Sequence, residues 1–302
     1  MNSFEDGRVE AVGFIGLGRM GTPMARNIMR AGSRVVVCDI DERRAARLAE
    51  AGAEIAGTPE DVASRSWLSI AMIMDDDALR DVAQGVAKGG KPGHLFCDLS
   101  TVSPSTSVAV GKLLSERGIR YLRGKVVGSV QPATEATLTI LASGERDDFE
   151  LAAPILRSMG ETLHYLGPGE VAHYLKLVHS VIVAVYAAML AEALAFGEKG
   201  GVDWSQMLEI LADGPLSSRQ LTVKHPTILA RDFDNPPADI DTAAKDIDII
   251  LAAAREMAVP MPISSLVRQF MAHQQAIGEG KRDIWSVVEA FERFAGLAPG
   301  AS

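Results

Sequence analysis

Three glycines stand at G-x-G-x-x-G spacing in the segment GFIGLGRMG, where they are Gly16, Gly18 and Gly21. An apolar run typical of a strand precedes them, and apolar side chains at helical spacing follow. Glycine lets the backbone approach a pyrophosphate, which the free amides and positive dipole of a helix N-terminus attract. The segment therefore predicts a dinucleotide site that includes Arg19 and Met20, with a tight turn that binds no ligand as the alternative.

The second apolar run, RVVVCDI, reaches Asp39, which lies 18 residues after Gly21. An acid at this distance accepts hydrogen bonds from the adenosine ribose in dinucleotide-binding folds. A carboxylate there also repels a 2′-phosphate, so the sequence favours NAD as the cofactor. Arg43 and Arg44 follow closely and keep NADP open as the alternative.

A lysine interrupts the apolar segment AHYLKLVHSVIVAVYAAMLAEALAFG at position 176. Enclosing an unpaired ammonium is costly, so either Lys176 reaches water along its stem or the fold needs it there. A free lysine has a pKa of about 10.4, and a base that works near neutrality needs burial or a neighbouring positive charge to lower it. Both interpretations stay open on the residues alone.

The elements that would position these residues change in character along the chain. From Ala11 to about Leu166, short apolar runs alternate with amphipathic segments, which is typical of a parallel sheet with flanking helices. Strands are predicted at AVGFIGL, RVVVCDI, WLSIAMIM and HLFCDLS, and a helix at MGTPMARNIMRAG with Gly32 as its stop. The later segments RYLRGKVVG, TLTILASG and TLHYLG are predicted to pair in mixed directions.

After Gly167 the pattern becomes helical. It predicts a long helix from Val171 to Lys199, then one from Trp204 to Ala212 capped by Asp203, and three more at IDTAAKDIDIILAAAREMA, PISSLVRQFMAHQQAIG and DIWSVVEAFERFAG, with a loop at DNPPAD. The predicted fold class is α/β: a Rossmann-type dinucleotide-binding domain over residues 9–167, followed by an all-α substrate and oligomerisation domain over residues 168–302 that begins with the long helix.

Composition excludes several classes of protein. The 302 residues include 30 basic and 39 acidic side chains, a net charge of −9, which does not favour binding to nucleic acid. The charge-free run VIVAVYAAMLA has 11 residues, against about 20 needed to cross a bilayer. Cys38 and Cys97 lie in apolar strands as small buried side chains, and the six histidines form no H-x-x-x-H pair backed by an acid, so no metal site is expected. The polar N-terminus MNSFEDGRVE lacks a signal segment, which favours the cytoplasm.

Five segments together resemble the β-hydroxyacid dehydrogenase family, the 3-hydroxyisobutyrate dehydrogenase-like members of the 6-phosphogluconate dehydrogenase superfamily. They are GFIGLGRMGTPMARNIMRAG, DLSTVSP, KVVGSVQPATEATLTILASG, GPGEVAHYLKLVHS and AAKDIDIIL, in the family's order. The resemblance implies hydride transfer between NAD and a small 3-hydroxy acid, with Lys176 as general acid and base. It also implies dimers or tetramers of the chain.

The resemblance assigns further roles residue by residue. Ser100 would hold the substrate carboxylate and Thr101 would lie against the nicotinamide, although S-T-x-x-P is also an ordinary helix cap. Lys245 would close over the cofactor, or else be an exposed helix lysine paired with an acid. Ile73 and Met74 would line the cofactor, as any residues at a buried strand end could.

The chain departs from the family pattern at three places. The substrate loop reads Val127, Gly128 and Ser129 where a serine and two glycines are usual, so Ser129 would supply the hydroxyl from a shifted position.

Beside the catalytic lysine, two asparagines are replaced by His179 and Ser180, and two glycines that precede it by Glu170 and Ala172. Ser180 shares the face of Lys176 and would still reach substrate. Some acid-sugar dehydrogenases of the same superfamily carry histidine at the position of His179, which favours a polyhydroxylated acid. His173 and His179 are otherwise interpreted as packed helix residues.

Two other functions compete with the dehydrogenase. An imine reductase shares the architecture but lacks the lysine, so Lys176 argues against it. A non-catalytic dinucleotide-binding scaffold would tolerate all three departures, but it leaves the joint presence of Lys176 and Ser100 unexplained.

Overall fold

The computed structural model describes residues 11–234 and 236–300. The N-terminal segment MNSFEDGRVE, the predicted domain start at residue 9 and Asn235 of the predicted DNPPAD loop lie outside the described residues. The chain divides into two compact units, Met1–Lys176 and Leu177–Ser302. This division falls inside the long helix, nine residues beyond the predicted boundary at Gly167, which stays a prediction.

The first unit is built on one sheet of eight strands in the order β3-β2-β1-β4-β5-β6-β7-β8. All pairs are parallel except β6 with β7, which is antiparallel, so the predicted mixed pairing is confirmed. The strands are β1 Ala11–Ile15, β2 Val35–Cys38, β3 Glu54–Ile55, β4 Ser66–Ala71, β5 Leu95–Asp98, β6 Arg120–Val127, β7 Thr139–Ser143 and β8 Thr162–Tyr165.

Seven helices accompany these strands and cover the sheet. The apolar cores that they form with it contain both cysteines, Cys38 and Cys97, which are buried and not joined to each other. The helices are α1 Gly21–Arg30, α2 Glu42–Ala49, α3 Pro59–Arg65, α4 Asp76–Gly89, α5 Pro104–Ser115, α6 Val130–Glu135 and α7 Arg146–Arg157. The predicted Rossmann-type architecture is confirmed.

The second unit is helical, as predicted. Its helices are α8 Val171–Lys199, which starts in the first unit, α9 Trp204–Asp213, α10 Arg219–Ala230, α11 Ile240–Glu256, α12 Pro262–Ala276 and α13 Val287–Phe294, with a 3₁₀ turn at Ile284–Ser286. Asp203 caps α9 by accepting the Gln206 amide, as the sequence predicts. The sequence did not predict α10.

Helix α8 has one side in the core of the second unit and one side exposed. Ala184, Ala187, Leu190 and Leu194 are buried there with Trp204 and the later helices. By length and composition, α8 is also apolar enough to cross a membrane, with 39% of its most apolar stretch buried inside the protein. The same test is passed by core helices.

A buried ion pair connects the end of α10 to α13. Arg231 places its two terminal nitrogens 2.9 and 2.6 Å from the carboxylate oxygens of Glu292, whose side chain has no exposed area. The guanidinium also lies 4.2 Å from the ring centre of Trp204.

We expect Arg231→Met to lower the free energy of unfolding of the helical unit by about 3 kcal/mol, because it leaves a buried carboxylate unpaired. Urea unfolding followed by tryptophan fluorescence measures this change. The control is Lys281→Met, which removes the exposed pair of Lys281 with Asp241 and should cost less than about 1 kcal/mol. Equal losses in the two variants would show that the Arg231 pair is not buried as described.

Candidate active site

The site is organised by the edge of the sheet at which the parallel strands end. Strand β1 pairs with β2 on one side and with β4 on the other. The order in which successive strands are added to the sheet therefore changes direction beside β1. Ligands of open α/β sheets bind at this reversal, outside the carboxyl ends of the strands. Segments that follow β1, β2, β4, β5 and β6 meet at this edge, and they contain most of the predicted site residues.

The glycine loop after β1 has the geometry of a dinucleotide cradle. Gly16 has a φ of +92°, and a Cβ there would lie 2.3 Å from the Met72 carbonyl oxygen. A Cβ on Gly21 would lie 1.9 Å from the carbonyl oxygen of Gly16. Gly18 is different, because a Cβ there would meet no atom of the protein within 4 Å. Space is therefore kept open beside the start of α1, where Arg19 is exposed and Met20 packs on the core.

Asp39 follows β2 and supports this loop directly. One carboxylate oxygen accepts the Leu17 amide at 2.5 Å, and the other accepts the Asp41 amide at 2.8 Å. Only 4% of its side chain is exposed. Arg44 lies 3.7 Å from Asp39, and Arg43 pairs with Asp41. Asp39 thus holds the glycine loop, and its predicted contact with the ribose stays a prediction.

The loops after β4 and β5 are joined by Ser100. Its hydroxyl accepts the Ile73 amide at 2.9 Å, and its side chain has no exposed area. The prediction that Ile73 and Met74 end a strand is wrong: β4 ends at Ala71, and both residues belong to the loop that leads to the cap of α4. Met74 is exposed, whereas Thr101 is half-buried.

The substrate loop lies between β6 and α6. Val127 is the last residue of β6 and is half-buried. Gly128 has a φ of +138°, which a residue with a side chain rarely adopts, and it is exposed. Ser129 precedes α6 without capping it by its side chain. The loop therefore presents its backbone at Gly128 and a hydroxyl at Ser129.

A buried ion pair that sequence reasoning missed lies beneath the segment D-L-S-T. The ammonium of Lys125 is 2.6 Å from Asp98 Oδ2, and both side chains are at most 1% exposed. Burial lowers the pKa of Lys125, and the negative charge of Asp98 opposes this shift. A lysine flanked by Gly124 and Val126 in a strand was the available signal.

A second cluster of ionisable side chains lies at the start of α8. Glu170 binds the Arg123 guanidinium through one oxygen, and its other oxygen lies 3.0 Å from His173 Nδ1. Burial raises the pKa of Glu170, but its contacts with His173 and Ser107 and the charge of Arg123 outweigh this and lower it to about 2. Burial, reinforced by the charge of Lys125, lowers the pKa of His173 to about 4, so His173 is neutral near pH 7.

Lys176 stands one turn beyond this anchored start of α8. Ser143, at the end of β7, accepts the Ala172 amide at 3.2 Å and donates to the Gly169 carbonyl oxygen at 2.7 Å. Ala172 and His173 are buried, and Lys176 shares their side of the helix by i+3 and i+4 spacing. Lys176 is itself half-buried, so part of its side chain is shielded from water.

The second unit contains the remaining predicted residues. Ser180 lies 3.5 Å from Asp246 Oδ2, and Lys245 lies 3.1 Å from Asp246 Oδ1. His179 is half-buried on α8. Asp246, which follows Lys245 in the K-D motif, was not singled out from the sequence. It brings Ser180 and Lys245 to the same carboxylate. Within residues 11–234 and 236–300, no group of three or more metal-ligating side chains was found.

Comparison with known proteins identifies the family. Residues 11–167 match the model of the NAD binding domain of 6-phosphogluconate dehydrogenase, and residues 171–291 match the NAD-binding model of NADP-dependent 3-hydroxyisobutyrate dehydrogenase. The chain belongs to the β-hydroxyacid dehydrogenases of the 6-phosphogluconate dehydrogenase superfamily, a family of NAD(P)-dependent hydroxyacid dehydrogenases.

Individual relatives cover nearly the whole chain. The chain is 30% identical to 2-(hydroxymethyl)glutarate dehydrogenase of Eubacterium barkeri, across 95% of this chain and 96% of the relative. It is 28% identical to L-threonate dehydrogenase of Cupriavidus necator, across 93% and 95%. A Mycobacterium tuberculosis 3-hydroxyisobutyrate dehydrogenase structure with L-serine has the same fold, with a TM-score of 0.87 at 23% identity over 94% of this chain and 99% of that one.

The second and third glycines of the loop predict different effects. Gly18→Ala should leave the melting temperature unchanged, because its Cβ meets no protein atom, yet weaken NADH binding by about tenfold or more, because it fills the space that a pyrophosphate needs. Gly21→Ala should lower both the melting temperature and the affinity, because its Cβ meets the Gly16 carbonyl. Fluorescence titration and thermal unfolding measure the two quantities. Undiminished NADH affinity in Gly18→Ala would remove the loop from the cofactor site.

Proposed function

We propose that the protein oxidises or forms a small 3-hydroxy acid with NAD as the cofactor and Lys176 as general acid and base. The observation that carries this proposal is the placement of Lys176. It is half-buried on a helix whose first turn is bonded to the carboxyl edge of the sheet, and the glycine loop and D-L-S-T segment lie at the same edge of the same unit.

Each group has a part in the proposed reaction. NAD, when bound, would supply the hydride acceptor for the hydroxyl-bearing carbon in oxidation, and NADH the hydride donor in reduction. Lys176, as a free amine, accepts the hydroxyl proton during oxidation and returns it as an ammonium during reduction. Gly16, Gly18 and Gly21 would hold the pyrophosphate, while Ser129 offers a hydroxyl group for the substrate.

The substrate class follows from which polar groups are exposed. Ser100 is buried and engaged with the Ile73 amide, whereas Ser129 stands at the end of the substrate loop. The named relatives act on a hydroxymethyl dicarboxylate and on threonate, acids with polar substituents beyond one hydroxyl. Together with His179, these features support a polyhydroxylated acid over one with a purely apolar side chain.

The charges beside β2 support NAD over NADP. Asp39 and Asp41 stand where a 2′-phosphate would add negative charge, and both arginines nearby are already paired with these acids. The match to a model described as NADP-dependent argues the other way, but it covers the helical part, residues 171–291, and not this corner.

We expect kcat/KM of the wild type to be at least about tenfold higher with NAD than with NADP, a difference of about 1.4 kcal/mol. Removing both cations in the double variant Arg43→Ala with Arg44→Ala should maintain or increase this ratio. Initial rates at saturating substrate with each cofactor give the comparison. A wild type that prefers NADP, and loses that preference in the double variant, would assign the arginines to the 2′-phosphate.

The exposed side of α8 supports self-association. Val178, Ile182, Met189 and Phe196 follow one another at spacings of four or seven residues and are each more than half exposed, at 51%, 62%, 55% and 82%. An apolar stripe of this length on a helix is typical of an interface. We propose that a second copy of the chain covers it, in a homodimer or homotetramer.

We expect Lys176→Ala to lower kcat by about 10²- to 10⁴-fold with little change in NADH affinity, because it removes the proton acceptor and leaves the glycine loop intact. Lys176→Arg should be equally slow, because arginine keeps its proton at all working pH values. Lys199→Ala, at the exposed far end of α8, is the matched control and should have wild-type kinetics.

The same assays separate the competing functions. A wild type that reduces cyclic imines but turns over no hydroxy acid would establish an imine reductase. Tight NADH binding with no turnover of either substrate class, and no effect of hydroxy acids on that binding, would establish a scaffold. Wild-type kcat in Lys176→Ala would exclude the lysine from the mechanism.

A further inference from the structure

The buried ammonium of Lys125 connects Asp98, the last residue of β5, to Ser100 in the loop that follows. Lys125 Nζ donates to Asp98 Oδ2 at 2.6 Å, to the Ser100 carbonyl oxygen at 2.7 Å and to the Asp98 carbonyl oxygen at 3.3 Å. An ammonium has three protons, so all of its donors are engaged. With 1% of its side chain exposed, Lys125 contacts no solvent or substrate.

The remaining polar groups of Ser100 are bonded to Asp98 and to Ile73. Asp98 Oδ1 accepts the Ser100 amide at 2.9 Å, and the Ser100 hydroxyl accepts the Ile73 amide at 2.9 Å. The amide, the carbonyl and the hydroxyl of Ser100 are therefore all bonded. The position of Thr101, the next residue, follows from this arrangement.

Two cations on β6 face two anions that flank the start of α8. Arg123 and Lys125 are two residues apart on the strand, so their side chains share one face of the sheet. Arg123 binds Glu170, and Lys125 binds Asp98. His173 lies between the two acids, 3.0 Å from Glu170 Oε2 and 3.8 Å from Asp98 Oδ2, with 1% of its side chain exposed. His173, on the first turn of α8, thus packs against Asp98 of the D-L-S-T segment without a hydrogen bond to it.

Stability alone is a weak reason for such an arrangement. Burying a lysine and an aspartate costs several kcal/mol per ion, and well-packed apolar side chains of similar volume often give equal or greater stability. A buried ion pair differs from apolar side chains because its hydrogen bonds are directional. Each of these bonds fixes the position of a particular atom. Here the hydrogen-bonded atoms belong to Asp98 and Ser100, and the helix turn that precedes Lys176 packs against this pair through His173, 3.8 Å from Asp98 Oδ2.

We propose that Lys125 is a positioning residue for the reaction. Its pair with Asp98, together with Glu170 and His173, holds the D-L-S-T segment and the base of α8 in one arrangement, so that Lys176 stands at a fixed distance from Thr101. This inference rests on the proposed function, but it concerns residues that contact neither substrate nor cofactor.

The test uses Lys125→Met, which keeps the length of the side chain and removes its charge, and the double variant Asp98→Asn with Lys125→Met. Asparagine can still accept the Ser100 amide, and the double variant leaves no buried charge unpaired, so it should fold where the single variant fails. We expect kcat of both variants to fall by about 10²-fold, since a shift of about 1 Å in a reacting group costs this much. NADH affinity should stay within about twofold of wild type, because the glycine loop makes no contact with Lys125.

Amide hydrogen exchange provides a readout that does not depend on turnover. Exchange should accelerate in residues 98–103 and 170–178 of the double variant, because both segments lose the same anchor. Arg120→Met is the matched control: it removes the pair of Arg120 with Asp148 at the opposite end of β6 and should leave kcat and exchange in these segments unchanged.

The outcomes are separable from those of the proposed function. Wild-type kcat and exchange in the double variant would overturn the inference while leaving the hydroxyacid dehydrogenase intact. A wild type without hydroxyacid turnover would overturn the function, and with it the positioning of Lys176. Faster exchange in residues 98–103 but not in 170–178 would also overturn it, because the anchor would then not reach α8.

Discussion

The requirement that enclosed charges be paired governs how the sheet edge is built. Lys125 and Asp98 are enclosed almost completely, and an unpaired charge in that place would cost several kcal/mol. Asp98 belongs to β5 and Lys125 to β6, while Glu170 and His173, which lie next to them, come from the segment that begins α8. Pairing these charges therefore also decides how segments distant in sequence meet. The predicted catalytic lysine takes its place one helical turn later.

One departure from the family pattern has an explanation in this network. Where glycines usually precede the lysine, this chain has Glu170 and Ala172. Glu170 pairs with Arg123, whereas the Ala172 amide makes a bond that glycine would also make. Backbone freedom at the entry to α8 comes from Gly167 and Gly169, which have φ angles of +93° and +73°. Glu170 therefore adds an ion pair with β6 to an entry that still turns on glycine.

Much of the fold could be predicted because it rests on local patterns. The glycine loop, the parallel strands and the bounds of α8 at Val171 and Lys199 were all predicted from periodicity and turn residues. After α1, the helices of the first unit were predicted only as unspecified amphipathic segments. Among the elements without an individual prediction, β3 has two residues, α6 has six, and α10 contains Pro226, which in a sequence argues against a helix. Ile73 and Met74 were assigned to a strand because apolar residues continue past its end at Ala71.

The polar partners within the site could not be predicted, because they depend on the register between strands. Asp98 is paired with Arg123 in the β5–β6 ladder, and only this register brings Lys125, two residues further on, to the end of β5. In the sequence, Lys125 resembles any polar residue that alternates along a strand. The register also changes the interpretation of Ser100. A serine with its amide, carbonyl and hydroxyl all bonded inside the protein supports the loop, a role that its place in the sequence does not reveal.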